Sequence, residues 1–202
     1  MSIVTWEPVR PLINPMASAR PVLASIAAVI IASVFISVTA QWEIRTGPVP
    51  FSLQTLSCLL VGAALGSRLG FAAVALYIMQ GIGGLPVFSG GNAGWAYFSA
   101  APSAGYIVGF AVAAYVVGWL AERGWSRHVL LVAAAMVIGN AVIYAVGAAR
   151  LADFVGWGGV WEFGMRPFLA GDAVKIAIAC GLLPGAWKLR GMLFGNSGRP
   201  GA

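Results

Sequence analysis

Six apolar runs, separated by short polar or glycine-rich segments, set the pattern of this chain. A helix that crosses a bilayer needs roughly 20 mostly apolar residues, with ~17–25 as the range. The first run covers 21–41 and opens on Pro21, which suits a first helical turn because its missing N–H is not needed there. The others fall at about 51–65, 69–82, 103–121, 129–149 and 170–189. The second and third are short for a full crossing and must tilt little or borrow length from the following loop. Residues 1–20 are mixed and proline-containing and read as a tail, as do residues 190–202. Val38-Thr39-Ala40 resembles a signal-peptide cleavage site, but the first run is too long for the ~7–15 residue core of a signal peptide.

The segments between the runs differ sharply in character. Residues 66–68 make a tight turn, and 122–128 form a charged loop that holds the lone histidine, His128. Residues 42–50 carry Glu43 and Arg45. Residues 81–102 are glycine-rich, hold no formal charge and contain Trp95, Tyr97 and Phe98. Residues 150–169 read as another loop, with tryptophans and Gly156, Gly158 and Gly159. Irregular backbone at membrane depth is tolerated only where it is buried in protein or lines a cavity. Interfacial aromatic belts explain such residues in one way. A lid that folds over a small solute explains the glycines as well.

Composition supports the membrane reading. Charged residues make up 9% of the chain, hydrophobic residues 60%, and mean hydropathy is +0.88. A soluble domain carries roughly 25% charged residues. The expected fold is an all-α integral membrane protein, a six-transmembrane-helix bundle with a tail at 1–20, a membrane domain at 21–189 and a tail at 190–202. The net charge of +6 is distributed asymmetrically. One side gathers Arg10, Arg20, Arg68, Arg123, Arg127, Lys188, Arg190 and Arg199 against Glu7 and Glu122. The other balances Arg45, Arg150 and Arg166 against Glu43, Asp153 and Glu162. Lys/Arg excess marks the cytoplasm, so both termini are expected there. No basic stripe alternates with aromatics, which argues against a nucleic-acid partner.

Candidate chemistry concentrates in the sixth run. Asp172 and Lys175 are the only charges well inside a predicted helix, and their spacing puts them on one face. Asp172 is expected in the first turn, where the helix dipole favours a negative charge. A central Lys or Asp costs about 2.5–3.5 kcal/mol on insertion scales, so the pair is either self-satisfied or a polar floor for a ligand. A cyclic urea needs a donor and an acceptor together; a carboxylate needs only the donor. The spacing alone does not choose. Ala24, Ala28 and Ala32 recur every four residues in the first run, a pattern for close helix approach within the bundle or for docking another membrane subunit. Cys58 and Cys180 sit in apolar runs and read as reduced core cysteines. One histidine and two distant cysteines make no metal site. Ser89 and Ser99 lack a partnering histidine, so no enzyme is expected, and no cofactor.

Three ordered motifs carry a family resemblance. They are Gly83-Gly84-Leu85-Pro86-Val87-Phe88-Ser89-Gly90-Gly91, with Gly105-Tyr106-Ile107-Val108-Gly109-Phe110 after it; Gly47-Pro48-Val49-Pro50-Phe51-Ser52-Leu53-Gln54-Thr55-Leu56; and Gly171-Asp172 with Lys175. Asn140, Tyr144 and Gly147 fit more loosely. The chain resembles the BioY family, the biotin-specific substrate-binding subunits of energy-coupling-factor (ECF) transporters, from about residue 21 to 187. The resemblance implies a multi-pass protein of the bacterial cytoplasmic membrane that binds biotin near its outer face. It implies Asp172 and Lys175 as ligand contacts, with Asn92, Trp95, Tyr97, Gln54 and Tyr144 as further candidates. It also implies partners: a transmembrane coupling subunit and two ATPase subunits. No Gly-x-x-x-x-Gly-Lys-Ser/Thr phosphate loop occurs here, so ATP hydrolysis must come from another polypeptide. Where the family often has Gly-Pro-Thr-Gly-Gly-Tyr, this chain has Ala101-Pro102-Ser103-Ala104-Gly105-Tyr106, which keeps a hydroxyl and stiffens the loop. A different vitamin, thiamine or riboflavin, on the same architecture is the alternative.

Overall fold

The structure, a computed structural model, describes residues 11–15, 18–44 and 47–194. Glu7, Arg10, Arg45 and Arg199, which entered the charge balance, lie outside the described residues.

Six helices pack side by side: α1 (Pro21–Ala40), α2 (Gln54–Leu65), α3 (Ser67–Ile82), then, after the six-residue α4 (Trp95–Ala100), α5 (Ala104–Ala121), α6 (Val129–Val160) and α7 (Arg166–Phe194). Three helical stretches are long and apolar enough to cross a membrane: Pro21–Ala40, Ala104–Ala121 and the 65-residue run Val129–Leu193, which holds both α6 and α7. The shorter apolar helices α2 and α3 complete the bundle. α5 is its centre, 72% buried along its span and packed on α2, α3 and α6. α1 is peripheral, 17% buried, and leans on α3 and α2. Ser33 ties it inward by donating to Gln80 Oε1 at 2.6 Å. Leu59, Val74, Val117, Val132, Met136 and Ile143 fill the core between the helices, and Cys58 is buried among them as a free thiol.

The structure departs from the sequence expectation in three places. Residues 43–44 and 51–52 pair as a short antiparallel ribbon, β1 (Glu43–Ile44) with β2 (Phe51–Ser52), so the second helix begins at Gln54 rather than 51. Residues 150–169 are not a loop. α6 continues to Val160, a π-turn follows at Trp161–Met165, and α7 begins at Arg166. Helical hydrogen bonds satisfy this backbone locally, which membrane surroundings demand. Of the three glycines that suggested a loop, Gly156 alone leaves helical geometry (φ 67, ψ 162) and redirects the chain so that α7 returns along α6. Third, Asp172 stands six residues past the start of a helix that follows directly on the π-turn. It is not in a first turn, and the dipole argument for its charge does not apply.

The two ends of the bundle are built differently. At one end Glu122 accepts from the backbone N–H of Ser67 (2.8 Å) and from its hydroxyl (3.0 and 3.1 Å), joining the end of α5 to the start of α3. Arg190 donates to the carbonyls of Pro11 and Leu12, and Trp187 Nε1 donates to Ser126 Oγ. The ribbon and the 83–102 segment close the opposite end.

Candidate ligand cavity

A cavity opens beneath the ribbon end, between the start of α2 and the facing sides of α5, α6 and α7. Its lining includes Gln54, Thr55, Tyr97, Ser103, Tyr106, Asn140, Tyr144, Phe168, Asp172 and Lys175. It is small, about 40 Å³. A second cavity of about 340 Å³ lies alongside, lined by Glu43, Gly47, Pro48, Asn92 and residues 100–103. Pro50, Tyr97 and Ser103 line both, so the second is a vestibule to the first.

The floor is an ion pair held by neighbours. Lys175 Nζ stands 3.3 Å from Asp172 Oδ1, and both residues are 5% exposed. The three-residue spacing along α7 produces this contact. Tyr144, on α6, donates its hydroxyl to the other oxygen, Asp172 Oδ2. Lys175 also donates to Thr55 Oγ1 at 2.6 Å and lies 4.2 Å from the centroid of the Phe51 ring. Phe51 in turn stacks on Phe168 at 6.1 Å. A buried charge persists only when paired and hydrogen-bonded, and these contacts meet that condition. Gln54, 4% exposed, donates to the Tyr77 hydroxyl at 2.6 Å.

The roof is aromatic and pinned. Phe88 is fully buried, edge-on to Tyr77 and stacked with Tyr97 and Phe98 at about 6 Å. Gln41 Nε2 donates to the carbonyls of Val87 and Phe88, both at 3.2 Å. Ser89 donates to Glu43, which ties the 83–102 segment to the ribbon. Arg150, two-thirds of the way along α6, donates to the Ser99 carbonyl in α4.

The structure brings Asp172, Lys175, Gln54, Tyr144 and Tyr97 together in one cavity. Asn92 lines the vestibule instead, with its amide turned to the Ser89 carbonyl at 2.6 Å. Trp95 is 63% exposed and lines neither cavity. Thr55, Phe51 and Phe168 were not singled out from the sequence, although Phe51 and Thr55 lie within a quoted motif. Ala24, Ala28 and Ala32 line a separate apolar groove of about 640 Å³ formed by α1, α2 and Ile13–Pro15, which shares no lining residue with the cavity of the ion pair.

A bundle of apolar helices that buries one acid and one base beneath a tethered aromatic roof defines a membrane-embedded small-solute-binding protein. The family model for the BioY family matches residues 13–192. The chain belongs to the BioY family. It is 39% identical over 140 residues to the biotin transporter BioY of Rhizobium etli, covering 65% of this chain and 74% of that one. It is 38% identical over 144 residues to the biotin transporter BioY of Thermotoga maritima, covering 70% and 83%. The crystal structure of the S-component for biotin from an ECF-type ABC transporter has the same fold: TM-score 0.71, 21% identity, 85% of this chain and 94% of that one.

Proposed function

We propose that this chain captures biotin in the Asp172–Lys175 cavity and serves as the substrate-binding component of an ECF-type transporter. It is a transporter subunit, not an enzyme. The observation that carries the reading is the buried ion pair inside a roofed cavity, in a chain of this family. The roof must move for binding. A cavity of about 40 Å³ is far below the roughly 300–1,000 Å³ of ordinary ligand sites, whereas joining it to the vestibule reaches that range. Displacing Tyr97, which lines both, merges them. Isothermal titration of detergent-purified protein with biotin is expected to give a sub-micromolar dissociation constant, unaffected by excess thiamine or riboflavin. A constant weaker than micromolar overturns the reading.

The ribbon end faces outward in this proposal and the end with Arg68, Arg123, Arg127, Lys188 and Arg190 faces the cytoplasm of a bacterial cell, in line with the Lys/Arg rule. The same rule puts both termini inside. The coupling subunit docks on α1, with two ATPase subunits beyond it. Support comes from the groove, where Ala24, Ala28 and Ala32 are joined by Ala27, Ile31 and Phe35 of α1 and Leu60, Val61 and Ala64 of α2. Small residues permit the close helix approach that drives association in lipid. Ala27→Trp fills the groove at an exposed position. It should lower co-purification of the coupling subunit at least tenfold while biotin affinity stays within twofold of wild type.

A further inference from the structure

The end of the bundle opposite the cavity carries cations that no acid answers. Glu122, the one described carboxylate there, is committed to Ser67. Among the described residues, Arg127, Lys188 and Arg190 enter no ion pair. Arg127 and Arg190 instead converge on one indole: their Cζ atoms lie 4.4 and 5.2 Å from the centroid of the Trp187 ring. Trp187 is itself fixed, donating Nε1–H at 3.0 Å to the hydroxyl of the buried Ser126. Arg190 gives one nitrogen to the carbonyls of Pro11 and Leu12. Arg127 is exposed, and its contact with the ring orients the guanidinium without consuming its N–H groups.

Toward the middle of the bundle the surface turns apolar. Cys180 Sγ donates to the Val129 carbonyl at 3.5 Å, which sets the start of α6 level with a residue two turns before Trp187. Two helical turns rise about 11 Å. Val129 and Leu130 are 53% and 83% exposed at that depth. We infer that the Arg127–Trp187–Arg190 cluster binds the headgroup phosphate of an anionic phospholipid, with an acyl chain along Val129 and Leu130. A soluble anion needs only the guanidiniums, whereas a phospholipid meets both levels. Arginine presents a planar fork to two phosphate oxygens, and tryptophan suits the depth of the headgroups. Basic pockets between membrane helices hold anionic headgroups in this way. A zwitterionic lipid carries its own cation on the headgroup, which the unanswered arginines repel. The orientation proposed above supplies only the leaflet, the cytoplasmic one; the site does not depend on which solute fills the cavity.

The test is titration of detergent-purified full chain with dioleoyl phosphatidylglycerol or dioleoyl phosphatidylcholine, bound lipid being counted by native mass spectrometry. Wild type should retain one phosphatidylglycerol at least tenfold more tightly than phosphatidylcholine. Arg127→Gln should abolish that preference. Arg68→Gln removes the same charge from an exposed position on α3 and should keep it within twofold. Arg127→Lys keeps the charge and loses the fork, so it should bind phosphatidylglycerol at least threefold more weakly than wild type. Should Arg127→Gln fail to fold, Arg127→Lys decides. Glycerol phosphate, the headgroup anion without acyl chains, should not displace the lipid at equal concentration. Equal retention of the two lipids by wild type, or equal losses in Arg127→Gln and Arg68→Gln, overturns the site. Displacement by glycerol phosphate overturns the lipid assignment and leaves a site for a free phosphate.

Discussion

Lys175→Ala should weaken biotin binding at least 100-fold, measured by titration of purified protein. The substitution removes a donor from the floor and leaves the Asp172 carboxylate 5% exposed with no cation beside it, since Tyr144 supplies only a neutral hydroxyl. Breaking a buried pair from one side costs about 3–5 kcal/mol, whereas replacing both partners by apolar residues of similar volume is often neutral. That asymmetry separates structure from binding. The double variant Asp172→Leu with Lys175→Met should recover the melting temperature that Lys175→Ala loses and still bind no biotin. Wild-type affinity in the double variant would make the pair a packing feature alone.

Gly118→Val should lower the melting temperature by roughly 10 °C. A Cβ at Gly118 would lie 2.5 Å from Gly66 C and Ser67 N and 2.7 Å from Ser67 Cα, all backbone atoms that cannot swing away. α5 would have to leave the α2–α3 turn, and Glu122, four residues on, would lose its grip on Ser67. Overpacking typically costs about 1–3 kcal/mol, and backbone atoms that cannot give way put this site at the upper end. For a chain near this length each kcal/mol moves the midpoint by about 2–4 °C. Gly181→Ala is the control: nothing lies within 4 Å of a Cβ there, so the midpoint should hold or rise. A Gly118→Val protein that melts with the wild type would show that the turn and α5 separate freely.

The six packed helices were legible because lipid demands unbroken apolar length, and that demand is written one residue after another. The Asp172–Lys175 pair was legible because charge is rare in such spans. Residues 150–169 were misread because glycine and tryptophan are common both in lids and in interfacial helices. Their φ angles, not their identities, decide between the two, and Gly156 alone takes the positive value within that stretch. Asn140 was noted but not placed in the site. A lone amide in an apolar span is a weak signal until its helix is seen to face the cavity, which Asn140 lines. Thr55 and Phe168 were invisible for a different reason. Thr55 touches Lys175 across 120 residues, a contact no local pattern encodes.

α2 has 12 residues and so climbs about 18 Å, against a hydrocarbon layer of about 30 Å. In the orientation proposed above, with the foot of α2 level with the cytoplasmic headgroups, Gln54 and Thr55 at its head would sit in a dip below the outer headgroup plane. A guest captured there, as proposed, would be surrounded by a low-dielectric medium on all sides but one. Each dipole it meets acts with little competition from bulk water, so a few well-aimed contacts suffice for tight capture.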